Sequence, residues 1–342
     1  MRRLAIILFS VLPALILAQG VSQLPESSES EKVIGQIYSA FRYDFRKDVS
    51  QKAAFEFNQG IIGYRHAFGE KVSGIILYDV TRTTHVYSLT TADGEPVSID
   101  YFEGSKYTAY LKMAEIKWNP GKVVGFRFGQ LLNTQYLTFQ DRFWGYRYID
   151  VTFQEKFRLG MPADFGAQVD LQPTEYLLVQ LSAVNGEGPF RHQDEYGGML
   201  YSANIQYEAV PGLTFKLYSD LAPAPDTGNA SNRSVITGFA GFKNKNFSVG
   251  GEYTYLSNRL YITDSDYYGF SVFGGVRVLE KTDLILRWDR LTRSLGNESS
   301  DTDYFIAGVQ YQPEKMLNMA LTYRYFSEGD IPMLYFSMGL KF

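Results

Sequence analysis

The 342-residue chain has no cysteine, only three histidines, and no apolar run long enough for a membrane-crossing helix. Without cysteine there are no disulfide scaffolds, thiolate zinc sites or thiol nucleophiles. A spanning helix takes about 20 apolar residues, and the longest run, residues 4–17, falls short of that. His66, His85 and His192 are scattered, with no i, i+4 pair to hold zinc on a helix. Charge of one sign is also missing: 33 Lys+Arg stand against 37 Asp+Glu, whereas a nucleic-acid binder is normally basic. No Gly-rich loop follows a strand and opens a helix, so no nucleotide site is indicated and no cofactor is expected. What the chain has in quantity is aromatic residues, 26 Tyr, 25 Phe and 3 Trp, or 16% of the total. That content excludes disorder and points to an aromatic-rich all-β protein.

Arg2 and Arg3 precede the apolar run 4–17, and Ala18-Gln19-Gly20 follows it. A positive start, a short apolar stretch and small residues at a cleavage point make a secretory signal peptide, expected over 1–20. Residues 21–32 are polar and are expected to form a flexible leader, so that the folded part is 33–342.

Beyond the leader, period-two alternation recurs, the pattern of strands with two unlike faces. Phe165, Ala167, Val169 and Leu171 share one face, opposite Asp164, Gly166, Gln168 and Asp170. Leu213, Phe215 and Leu217 oppose Thr214, Lys216 and Tyr218, and the chain closes with Leu334, Phe336, Met338, Leu340 and Phe342 on one face. The pattern predicts sixteen strands: 33–45, 53–66, 72–82, 106–117, 122–130, 163–171, 175–184, 198–208, 213–220, 234–243, 247–256, 267–278, 282–290, 303–311, 318–326 and 333–342. The windows 106–117 and 234–243 fit either phase. All ten prolines after the leader are expected in connections, because proline cannot donate to a sheet ladder.

The connections alternate in length: every second one is a short turn, and those between are mostly long. An up-and-down barrel in an outer membrane sorts its connections this way, with short turns in the periplasm and longer loops outside. An even strand count then puts both termini in the periplasm. Three further features favour such a barrel over a soluble sandwich or solenoid. Charges stand well inside the polar faces, at Arg42, Asp44, Arg127, Asp164, Asp170, Lys216, Glu252, Arg277, Arg287, Asp289 and Arg324, where a water-filled lumen would hydrate them. Aromatics gather near strand ends, as in Tyr253/Tyr255, Tyr267/Tyr268, Tyr323/Tyr325 and Trp118, matching interfacial girdles. The last strand carries a terminal aromatic on its apolar face, resembling the assembly signal of bacterial outer-membrane proteins.

The connection 131–162 is the longest, and a loop of that length is usually functional or disordered. It is rich in aromatics, and Leu132, Tyr136, Phe139 and Phe143 fall on one face of a short helix that Thr134 would cap. It also holds Asp141, Arg142, Arg147, Asp150, Glu155, Lys156 and Arg158. The expectation is a third external loop folded inward, apolar side on the wall and charges toward a channel.

Sixteen strands, a long third loop and a terminal Phe resemble the general bacterial porins, in which the third loop constricts the pore. The stretch from Ala163-Asp164-Phe165-Gly166-Ala167 to Ala183-Val184-Asn185-Gly186-Glu187-Gly188, followed by Tyr201-Ser202-Ala203-Asn204, is similar to the phosphate-selective porin O and P family. That family's name implies pores rich in Arg and Lys, whereas acidic and basic residues here are near parity. The resemblance implies an outer-membrane homotrimer among lipid and lipopolysaccharide, passing small hydrophilic solutes and ions by passive diffusion, without enzymatic activity. In this reading Arg42, Arg127, Arg277, Arg287 and Arg324 on the wall face the loop carboxylates Asp141, Asp150 and Glu155, setting a transverse field across the pore.

Two other readings stay open. One is a channel selective for phosphate or another oxyanion, a sugar or an apolar compound, with Tyr136, Trp144, Tyr146 and Tyr148 as a stacking track. The other is a barrel enzyme, adhesin or structural protein. Asp264/Asp266 and Asp301/Asp303 are hard-oxygen pairs that fit a divalent cation as well as a solvated acidic loop.

Overall fold

A computed structural model describes residues 31–82, 89–90, 96–97, 107–193, 197–226 and 230–342. The expected signal peptide and His85 lie outside the described residues. The barrel strands are β1 (Glu31–Asp44), β2 (Ala53–Ala67), β3 (Val72–Arg82), β4 (Tyr107–Trp118), β5 (Val124–Leu132), β6 (Ala163–Thr174), β7 (Leu177–Val184) and β8 (Leu200–Val210). They continue as β9 (Leu213–Ala222), β10 (Arg233–Lys243), β11 (Phe247–Ser257), β12 (Ser265–Leu279), β13 (Thr282–Leu295), β14 (Glu298–Glu314), β15 (Leu317–Phe326) and β16 (Ile331–Lys341). Each pairs antiparallel with its sequence neighbours, and β1 closes the ring on β16, with Tyr38 opposite Gly339 and Arg42 opposite Tyr335. All sixteen expected strands are present. Closure removes every edge, as a sheet in hydrocarbon requires. Among the described residues no helix is long and apolar enough to cross a membrane, so crossing falls to the strands.

The two faces separate as the alternation demands. Phe165, Phe215, Leu217, Val249, Leu321 and Phe336 are exposed on the outside, while Asp170, Lys216, Glu252 and Arg324 are buried inside. A continuous exposed apolar surface is untenable in water and is the ordinary outside of a membrane barrel. Tyr267 departs from the expected girdle: it packs with the inner aromatic cluster.

Several expectations are corrected. Glu31 and Lys32 belong to β1, paired with His66 and Arg65, so the first strand begins two residues earlier than expected. Pro173, Pro313 and Pro332 fall within barrel strands, and Pro96 pairs with Thr90 in a two-residue ladder inside the β3–β4 connection. Register shifts bracket Pro173 and Pro313, which sit where the ladder is already interrupted, and Pro332 is the second residue of β16. The long connection expected between 290 and 303 is only Gly296-Asn297, because β13 and β14 run on as a hairpin with Leu295 opposite Glu298 and Gly296 at φ 58°. Beyond the apolar zone both faces of that hairpin are polar, so alternation ends although pairing continues.

Candidate functional site

The segment between β5 and β6, residues 133–162, packs against inward-facing side chains of the barrel. It holds two short helices, α1 (Gln140–Trp144) and α2 (Phe153–Lys156). The expected helix therefore starts later, and Thr134 does not cap it. Two interactions divert the chain there. Asn133 Oδ1 accepts the Gln135 amide at 2.5 Å. Lys216 Nζ, from β9, donates to the carbonyls of Thr134 and Gln135 at 2.7 and 2.6 Å and to Gln140 Oε1 at 2.5 Å. Carbonyls held by an ammonium are poorly placed to build a helical turn.

Aromatic packing seats one side of the loop. Phe143, Trp144, Tyr148, Ile149, Phe153 and Phe157 join Phe239, Phe273, Leu291 and Tyr304 from the strands in one buried cluster. Phe143 lies edge-on to Phe239 with centroids 5.0 Å apart, and Trp144 to Phe273 at 5.3 Å. The wall makes room with glycine: a Cβ at Gly241 or Gly250 would stand 2.5 or 2.9 Å from the Phe143 ring, and one at Gly339 2.5 Å from Tyr148 Cβ. Hydrogen bonds complete the seat, from Tyr148 Oη to Gln310 (3.0 Å), Gln154 Nε2 to Glu252 (2.5 Å) and Trp144 Nε1 to the Asp150 carbonyl (3.0 Å). Tyr136, Trp144 and Tyr148 are only 0%, 2% and 2% exposed. These three are packing residues, and the stacking track is corrected for them; Tyr146, the fourth, is half-buried and donates to Asp283 at 3.3 Å.

The seven loop charges sort into three groups. Arg147 is clamped by Asp141 at 2.8 Å and by both oxygens of Glu155 at 2.6 Å, and donates to Gln59 Oε1 on β2 at 3.1 Å. From Gln59 the network reaches Asp79 (2.6 Å), which also takes Lys112 Nζ (2.5 Å) and Tyr110 Oη (3.0 Å). Asp150 accepts from Lys156 at 2.7 Å and from Tyr304 Oη at 2.5 Å, with Arg324 at 3.9 Å. Burial alone would raise Asp150 and Glu155. The charges of Lys156, Arg324 and Arg287 outweigh it for Asp150 and that of Arg147 for Glu155, so both carboxyls sit below the ordinary range. Arg142 and Arg158 remain exposed.

The five wall arginines do not act alike, contrary to expectation. Arg324 donates to the Ile149 carbonyl at 2.7 Å and Arg287 to that of Val151 at 2.5 Å, so these two meet the loop. Arg42 pairs with Glu56 (2.6 Å), Arg127 with Asp170 (2.6 Å) and Glu115 (3.3 Å), and Arg277 with Asp283 (3.0 Å). Strand register sets these pairs: Arg277 stands directly opposite Asp283, while the acids beside Arg127 are diagonal neighbours across two ladders. Sequence reading missed Gln59, Asp79, Tyr110 and Lys112 as the loop's link to the wall, since only pairing brings them together. Among the described residues no group of three or more His, Asp or Glu is arranged for a metal. Asp301 and Asp303 lie in β14, where Thr292 and Trp288 donate to them and Arg290 lies within ion-pair reach. Asp266 accepts from Tyr255 Oη.

No family model and no curated protein matches this chain. Solved structures do. OprB of Pseudomonas putida aligns with a TM-score of 0.65 at 9% identity, covering 91% of this chain and 94% of that one. Salmonella typhi OmpF aligns at 0.65 and 13%, covering 91% and 97%. The outer-membrane channel DcaP of Acinetobacter baumannii aligns at 0.62 and 12%, also covering 91% and 97%. At such identities the likeness is one of fold.

Proposed function

We propose that this chain is a bacterial outer-membrane porin, not an enzyme, passing small hydrophilic solutes and ions through a water-filled barrel narrowed by the loop 133–162. The observation that carries the reading is a closed sixteen-strand barrel, apolar outside and charged inside, with a long loop bound to its inner wall. The aligned barrels include one whose name says channel, DcaP. In this reading the permeation path runs between the loop and the inner faces of β4–β6, along the hydrogen-bonded polar arc of Glu115, Arg127, Gln168 and Asp170. Arg142 faces that arc. Its guanidinium, open to the lumen but enclosed by the barrel, is pushed down first by that enclosure and then by the charge of Arg127, which places the two cations within electrostatic reach. Asp141, Arg147, Asp150, Glu155 and Lys156 hold the constriction in shape, and Arg142, which has no ion-pair partner among the described residues, supplies its charge. Both termini lie in the periplasm, and the apolar outer face of the barrel meets membrane lipid and, in the outer leaflet, lipopolysaccharide. A homotrimer is proposed on the likeness to Vibrio cholerae OmpT, solved in a trimer form.

Purified protein in a planar bilayer is expected to show stepwise conductance. Arg142→Gln is expected to shift the reversal potential in a KCl gradient toward cation preference. A folded preparation without conductance would overturn the reading.

The similarity to phosphate-selective porins supports a second reading, a channel selective for an oxyanion. The neighbouring charges of Arg142 and Arg127 favour it.

A further inference from the structure

At the long-connection end of the barrel, between the loop and β12–β16, lies a cavity of about 490 Å³. Five cations line it, Lys156, Arg158, Arg259, Arg293 and Arg324, and among the described residues no carboxylate does. Lys156 and Arg324 share Asp150 behind the wall, and Arg293 meets Glu328 on the rim at 2.9 Å. Neither Arg158 nor Arg259 pairs with a carboxylate among the described residues, so two full charges face this space without a counter-ion from the protein.

The rest of the lining is aromatic or aliphatic. Three of the cations lie over rings: Arg324 3.7 Å from the centroid of Tyr335, Lys156 4.0 Å from Tyr304, and Arg259 4.7 Å from Tyr267. Phe157 and Phe326 stack at 6.3 Å with planes 24° apart, and Ile331 and Met333 complete the apolar part. A bare inorganic anion would satisfy the cations and leave the rings wet. A neutral sugar would use the rings and leave two charges unmatched. An anion carrying an apolar ring satisfies both, and the volume is in the range of small-molecule sites.

We propose that this cavity is a binding subsite for small aromatic carboxylates at the mouth of the channel, its cations gripping the carboxylate and its aromatic residues holding the ring. The proposal rests on the channel reading and gives it a substrate class. Arg259 and Arg158 capture the anionic group, and Tyr267 and Phe326 contact its ring. The sequence expectation puts Arg158 at the constriction. The structure places it here instead, with Arg259 from the short segment after β11 and Arg293 from the extended hairpin.

The test is equilibrium dialysis of the folded, detergent-solubilised full chain with labelled benzoate, acetate and inorganic phosphate. Benzoate is expected to bind saturably, with acetate and phosphate at least about tenfold weaker. Arg158→Gln and Arg259→Gln should each weaken benzoate about fivefold, the order expected for one partly exposed charge. Phe326→Ala should weaken benzoate and leave acetate unchanged, while Arg191→Gln, outside the cavity, leaves all three unchanged. Equal binding of phosphate and benzoate, insensitivity to both arginine substitutions, or no benzoate binding by protein with unaltered circular dichroism each overturns the proposal. Conductance in KCl is recorded on the same preparation. Binding without conductance would defeat the channel reading and leave the site standing, and conductance without binding would do the reverse.

Discussion

Arg147 shows how a single residue holds the loop in place. Its guanidinium is buried, so its charge is tolerated only because Asp141, Glu155 and Gln59 take its donors. Arg147→Met leaves two carboxylates in the interior without their cation, a loss of about 3–5 kcal/mol in comparable buried pairs. The expected result is a loop that leaves its seat, read as new tryptic cuts at Arg142, Lys156 or Arg158 that the parent resists under the same conditions. The same contact sets a pH dependence. Glu155 is held below its ordinary value in the folded state, so its contribution is complete above the unfolded carboxylate range, about pH 4.3. It is lost as pH falls through the lowered folded value. Pepsin digestion across roughly pH 5 to 2, scaled at each pH to cleavage of the urea-unfolded chain by the same enzyme, should therefore show relative cleavage within 133–162 rising only in the acidic part of that range. Cleavage independent of pH would contradict the assignment.

At the scale of the element, the strands were legible because lipid and water impose opposite demands on alternate residues. The window 234–243 fits either phase for a structural reason. Ile236, Ala240 and Phe242 face outward, yet Val235 and Phe239 on the inner face are apolar too, because they receive the loop. In the window 106–117 the reason is a register shift. Leu77 pairs with Met113 and Tyr78 with Leu111, so Lys112 is an extra residue between them and the alternation changes phase across it. The loop's length and aromatic content raised the expectation that it packs on the wall. Its pairings were not legible, because they depend on which residues the register sets opposite one another. The glycine seats give a test at this scale. Gly241→Leu places carbon where the Phe143 and Phe239 rings stand, an overpacking that costs about 1–3 kcal/mol. Combining it with Phe143→Ala should recover part of that loss, giving a coupling energy well above the few tenths of a kcal/mol expected of independent sites. Denaturant titration of the four proteins measures it, and simple additivity would mean the two positions do not touch.

For the whole molecule, the distinguishing property is the inversion of a soluble protein: the inside is charged and hydrogen-bonded, and the outside is apolar. The aromatic cluster between loop and wall adds a second apolar region, inside the barrel, that alternation alone did not announce. These two regions answer to different solvents. Leu217, at mid-strand in β9, is 50% exposed and faces outward. In water an exposed Leu→Arg substitution is nearly neutral, within about 0.5 kcal/mol. On the lipid face near the bilayer midplane it costs about 2–4 kcal/mol. Leu217→Arg should therefore destabilise folding into phospholipid vesicles by that amount, followed as the shift in gel mobility of the folded barrel across a urea series. The paired control is Ser182→Arg on the inner face of β7, where the new charge meets the polar arc and a far smaller change is expected. Equal effects at both positions would mean that the two faces see the same solvent, and the barrel would not be a membrane-spanning one.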